Sequence, residues 1–190
     1  MHEKQQNPID LIAKVHIQHA ALCDTLEEIA DSLPDSIDTS KCTSVLDTLN
    51  YELPLHHKDE ELGLFPLLQE KVKTDPNIDS HLQQLSWEHA ADESAAHEIA
   101  DVLDQLSHGE RAKNPEMLGY MLRSFFESYR RHLHWENTVL LPLARQSFSS
   151  SDLEALNDVM ANNRFSKLGS GVACNGNCTA CKPKNVQDIE

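Results

Sequence analysis

Two stretches of the sequence place a histidine four residues ahead of a glutamate. In LHHKDEELGLFPLL, residues 55–68, they are His56 and Glu60; in YRRHLHWENTVLLPLA, residues 129–144, they are His132 and Glu136. A step of four on a helix puts both side chains on one face, with Cβ atoms about 6 Å apart, close enough to share a metal ion. Burying either group without a partner costs several kcal/mol, so each pair faces water or binds something. Aligning His56 with His132 also puts Glu60 on Glu136, Leu64 on Leu140, Pro66 on Pro142 and Leu67 on Leu143, an internal repeat. His57 with Glu61 has the same spacing, but it is rotated by about 100° and misses the shared register, so the reading prefers His56 with Glu60.

Two more histidines, His19 and His89, interrupt apolar stripes of their own. Four imidazoles and two carboxylates meeting at one level of a core form the mixed nitrogen and oxygen set that suits iron, manganese or zinc. Catalytic zinc normally uses three protein ligands and structural zinc a closed tetrahedron, so a six-ligand set fits a dinuclear centre better. His16, His57, His81, His97, His108 and His134 fall off the stripes or at breaks, and the sequence gives them no role.

The elements that must position these groups are helices. Asn7-Pro8 opens the first, a cap residue followed by Pro at the first helical position. Its stripe reads Ile12, Val15, His19, Leu22, Leu26 and Ile29, and it stops near Leu33-Pro34. The second starts at Asp38 or Thr39, carries Val45, Leu49, Leu53, His56, Glu60, Leu64 and Leu67, and ends before Thr74-Asp75-Pro76-Asn77, with Pro54 expected to kink it. The third spans 78–107 with Leu82, Leu85, His89, Ala96, Ile99, Leu103 and Leu106 inward, and breaks at His108-Gly109. Asn114-Pro115 caps the fourth, whose stripe is Leu118, Leu122, Phe125, Tyr129, His132, Glu136, Val139 and Leu143.

A short fifth helix, 152–162, reads as a lid. The expected fold is therefore all-α: an antiparallel up-and-down four-helix bundle with a short C-terminal helix and a flexible cysteine-bearing tail. The division is a bundle domain over residues 1–164 and a tail over 165–190.

Composition narrows the partners. The chain of 190 residues is 39% hydrophobic with only 6 Gly, enough for one domain with a proper core. Its formal charge of −15, from 31 acidic and 16 basic side chains, repels phosphate backbones and anionic membrane surfaces, which excludes nucleic acid and membrane as partners. No apolar run is long enough to span a bilayer, and the start, MHEKQQNPID, lacks a signal peptide's basic and apolar parts. The expectation is a cytoplasmic protein in a reducing compartment, since the 5 cysteines are not spread as a disulfide frame.

The segments HIQHAAL, LHHKDEELGLFPLL, LSWEHAADE and YRRHLHWENTVLLPLA resemble the metal-bearing helices of hemerythrin-like (HHE cation-binding) domains, over about residues 8–146. The resemblance implies two iron ions in a non-haem di-iron centre with oxo or hydroxo bridging. His56 and His132 would be terminal ligands, Glu60 and Glu136 bridging carboxylates, and His19 and His89 the ligands of the first and third helices. The oxygen carriers of this family have H-x-x-x-H on the third helix, whereas the residue four after His89 is Glu93, with Asp92 beside it. That position would pass to Glu93, Asp92 or water. Ferritin-like di-iron oxidases use Glu-x-x-His, the reverse order with a step of three, and are set aside. Tyr129, one turn before His132, could hydrogen-bond a ligand carboxylate, with a place in the apolar core as the other reading.

In the tail, Cys174, Cys178 and Cys181 form C-x₃-C-x₂-C, a spacing that suits capture of a second metal or cluster, or reversible oxidation. The functional expectation is a protein that binds or senses O₂ or NO, or handles iron. Its alternative is a di-iron enzyme that reduces nitric oxide or peroxide or repairs iron–sulfur centres, assisted by the tail and a redox or iron-accepting protein partner. A bundle that metal merely stabilises is the third.

Overall fold

A computed structural model describes residues 6–170 except Thr74; Cys174, Cys178 and Cys181 lie outside the described residues. Every regular element among the described residues is helical: α1 (Pro8–Ser32), α2 (Thr39–Asp47), α3 (Leu53–Asp59), α4 (Phe65–Lys71), α5 (Ile78–Ser107), α6 (Pro115–Trp135), α7 (Leu141–Ser147) and α8 (Ser150–Ser170). Three π-helical segments, Thr48–Glu52, Glu60–Leu64 and Glu136–Leu140, join α2 to α3, α3 to α4 and α6 to α7.

The ends follow from local chemistry. Asn7 Oδ1 accepts from Ile9 N at 2.9 Å and Asn114 Oδ1 from Met117 N at 3.0 Å, each just before a Pro whose missing N–H costs nothing there. Asp38 accepts from Ser40 N at 2.9 Å and so starts α2 at Thr39. Gly109, at φ 84, turns the chain out of α5 through a backbone conformation that side chains with a Cβ resist. The last helix is longer than the 152–162 expected, because Ser149 and Asp152 cap one another and start it at Ser150. It continues to Ser170, so the division expected after residue 164 falls inside α8.

Each π segment begins six residues before a proline, at Pro54, Pro66 and Pro142. A proline ring collides with the carbonyl four residues back and offers no N–H. The wider turn accommodates this: Leu53, Phe65 and Leu141 N–H groups bond the carbonyls of Thr48, Glu60 and Glu136, five residues back. Where a kink is expected at Pro54 the chain forms a π turn, and the sequence repeat is also a structural one.

Two apolar clusters fill the interior. One gathers Leu22, Leu26, Leu49, Leu53, Leu103 and Phe125 among others; the other gathers Ile9, Ile12, Leu64, Leu82, Leu85 and Leu140. Each fully buried aliphatic side chain contributes about 1.5–3 kcal/mol. Four stretches of chain cross from one cluster to the other, and between the clusters each contributes buried polar residues: His16 and His19; His56, His57 and Glu60; His89; His132 and Glu136. α1 packs on α6, α2 on α5, and α5 on α6. No helix among the described residues is long and apolar enough to cross a membrane. Cys23 and Cys42 are free, buried thiols within the first cluster.

Candidate metal centre

The polar layer holds six imidazoles and two carboxylates. His16, His19, His56, His57, His89, His132, Glu60 and Glu136 are all at most 4% exposed. Every one of the six Nε2 atoms and all four carboxylate oxygens is buried without a hydrogen-bond partner. Each such atom in a dry core costs about 1–3 kcal/mol, more when charged, so the cluster demands a cation to which these lone pairs can point.

The far sides of five of the six rings are engaged in a way that favours this. His16 Nδ1 donates to Asn137 Oδ1 at 2.9 Å, His57 Nδ1 to Glu93 at 3.0 Å, His89 Nδ1 to Glu61 at 3.0 Å and His132 Nδ1 to Glu88 at 3.1 Å. His19 Nδ1 lies 2.7 Å from the Tyr129 hydroxyl. A proton held on Nδ1 leaves the Nε2 lone pair bare and directed inward, the tautomer that binds metals.

Within this layer two tight groups appear: His16, His56, Glu60 and Glu136, and Glu60, His89, His132 and Glu136, with one donor atom from each residue lying within 4.8 Å of the others. Both carboxylates belong to both groups. Glu60 oxygens sit 3.4 Å from His16 and from His56 and 3.5 Å from His89, while Glu136 oxygens sit 3.4 Å from His16 and 3.1 Å from His132.

The charges of these groups tell the same story. Burial opposes a proton on His132, but the Glu136 carboxylate 3.1 Å away and the charges of Glu60 and Asp92 push its pKa up to about 9. His19 and His56, by contrast, are lowered by burial and by neighbouring imidazoles, His19 to about 3. Two buried carboxylates that draw positive charge, enough to raise His16, His89 and His132 against burial, fit divalent or trivalent metal ions.

Residues 7–144 match the hemerythrin HHE cation binding domain. The chain belongs to this family. A Haemophilus influenzae protein described as uncharacterized is 25% identical over 161 residues, which cover 83% of this chain and 90% of that protein. Membership of the HHE family implies cation binding, typically of iron, and the buried His and Glu cluster fits such a site.

The structure places all six residues chosen from the sequence in this layer, but the HHE cluster holds more than four histidines. His16 and His57, set aside on the sequence, are 1% exposed and lie within it. In the tight groups the α1 position belongs to His16; His19 stands beside it, its ring 5.0 Å from that of His56. Asp92 and Glu93 belong to neither tight group. The space beside His89 is filled by His57, whose ring stacks on it at 3.9 Å and 5°. Glu93 instead faces outward and accepts from His57, and Tyr129 contacts an imidazole, with its ring in the apolar cluster, instead of a carboxylate.

Two signals in the sequence point to the missed residues. Ile9, Ile12, His16, His19, Cys23, Leu26 and Ala30 form an unbroken run of three- and four-residue steps, all buried, whereas Val15 is only half-buried. For His57, the signal is Pro54: the π segment ahead of it shifts the helical phase, so a stripe drawn at 3.6 residues per turn cannot be carried through. Val139 fails for the same reason, 43% exposed where Leu140 is buried.

Proposed function

We propose that the chain is a non-haem di-iron protein that binds or senses a small diatomic ligand, O₂ or NO. The observation that carries this reading is the pair of four-residue groups sharing Glu60 and Glu136. Two sets of donors with two carboxylates in common would hold two neighbouring cations, and the count of nitrogen and oxygen donors suits iron. In this reading the four long helical stretches run up and down antiparallel, which puts the His-x-x-x-Glu faces of the repeat opposite each other. His16 and His56 would hold one ion, His89 and His132 the other, and His19 and His57 stand close enough to complete the set.

Bound iron would supply reversible redox change and open positions for O₂ or NO. The chain's own residues supply the rest. Asn137, Glu61, Glu88 and Glu93 hold imidazole tautomers through Nδ1, and the apolar clusters on both sides exclude water. Two clefts approach the layer, about 330 Å³ beside His132 and about 260 Å³ beside Asp92, with ample room for a diatomic ligand. A cytoplasmic location agrees with the free thiols of Cys23 and Cys42.

The test is elemental analysis of chain purified without added metal, with anaerobic, aerobic and nitric-oxide-exposed visible spectra. Two irons per chain and a stable, ligand-dependent band support the reading. Zinc alone, or a spectrum indifferent to both gases, overturns it. Repeated consumption of nitric oxide or peroxide with a reductant would make the chain an enzyme instead.

A further inference from the structure

The proposed centre is sealed: its donors are at most 4% exposed and an apolar cluster lies on each side. Ions must nevertheless reach it, and the seam between α5 and α6 combines open space, oxygen donors and closeness to the donor atoms. Two clefts lie along this seam. One is lined by Leu85, Glu88, Arg131, His132 and Trp135; the other by Asp92, Ala95, Ile99, Ser124 and Phe125. Ser128 lines both.

Asp92 is the unusual residue in this seam. It is 6% exposed, and its Oδ2 is buried with no hydrogen-bond partner among the described residues. An ionised carboxylate in that position is costly unless something visits it. It lies one turn beyond His89 and four residues after Glu88, so both acids share a face of α5. We propose that the α5–α6 seam is the path by which divalent cations reach and leave the buried cluster, with Asp92 as the transit carboxylate that takes each ion from solvent before His89 and His132 receive it. This rests on the dinuclear reading above.

The chemistry grades inward. Asp92, with the Ser124 and Ser128 side chains in the cleft walls, presents hard oxygen donors, which hold a hydrated divalent ion weakly; imidazole and paired carboxylates hold it more firmly. Burial raises the Asp92 carboxyl to about 6, which leaves it ionised at neutral pH. The chain's net charge of −15 draws cations to its surface, and a buried acid lining a largely apolar cleft focuses that attraction.

The experiment is anaerobic stopped-flow mixing of metal-free full-length chain with Co²⁺, followed by absorbance, and in parallel the release of bound ions from loaded chain to a chelator. Asp92→Asn should slow both uptake and release about tenfold while leaving the final content and affinity unchanged. Ser128→Leu, which narrows the junction of the two clefts without altering charge, should slow both as well, and the exposed Asp101→Asn should slow neither. Wild-type rates in Asp92→Asn with full loading overturn the route and leave the dinuclear reading standing. Lost content or affinity in Asp92→Asn makes it a ligand and overturns the transit role. Failure of the wild-type chain to take up two ions overturns both.

Discussion

The two copies of the His-x-x-x-Glu segment share their backbone and differ in their electrostatics. Each runs α-helically to the glutamate, passes through a π turn and meets a proline. Yet burial and the surrounding His16, His19, His57 and His89 lower the His56 pKa well below the usual imidazole range, whereas His132 is raised to about 9. The carboxylates part in the same way. Burial and the charge of Glu136 raise Glu60. Burial also works against a charge on Glu136, but the nearness of His132 at 3.1 Å and of His89 at 3.9 Å outweighs it and holds that carboxyl well below the ordinary carboxylate range. Spacing thus decides where donor atoms stand, and the neighbours decide their charge.

The largest test of this comparison removes donors. Glu136→Ala, which strikes both groups, should abolish loading of both ions, His56→Ala should cost mainly one, and the exposed His134→Ala none, as read by elemental analysis of the purified variants. Equal metal content in all three would sink the assignment of donors.

A finer break uses metal-free protein. Glu60→Gln removes a carboxylate that burial and its neighbour disfavour, so urea unfolding should show a gain of about 1–3 kcal/mol, while Glu136→Gln strands His132 and His89 and should lose a similar amount. Shifts of the same sign in both variants would show that the copies are electrostatically alike after all.

Raising the pH sharpens the same contrast. His132 is raised from 6.5 to about 9 in the fold, so its contribution is fully present below pH 6.5 and is lost as pH climbs through 9. Metal-free chain should therefore lose about 1–3 kcal/mol between pH 7 and pH 9. Substituting His132 by Gln should flatten that profile, and an unchanged slope would assign the loss elsewhere. Smallest is Glu88→Gln: it should weaken the cation held by His132 about tenfold and leave the His56 side untouched, as read by two-step Co²⁺ titration.

Helix boundaries were legible in the sequence because they are local. Asn-Pro at the starts of α1 and α6 and Gly109 after α5 each act within a few residues. The repeat was legible too, since His56 with Glu60 and His132 with Glu136 both lie within α-helical turns. What was not legible depends on partners far away in the chain. The stripe drawn through Val15 leaves His16 outside it, and only the layer built by three other stretches makes a buried imidazole affordable there. His57 and Leu140 were hidden by π turns, which no single period describes. The bond from His57 to Glu93 spans 36 residues and has no signature in spacing.

The wide turns after Glu60 and Glu136 also fix how these segments can be inherited. Dropping one residue, say Leu62, would tighten the turn to ordinary pitch and bring the ring of Pro66 against the carbonyl four residues behind it, the collision the wide turn relieves. Acid, loop of five and proline therefore travel as a cassette of set length, which can be copied whole but not trimmed.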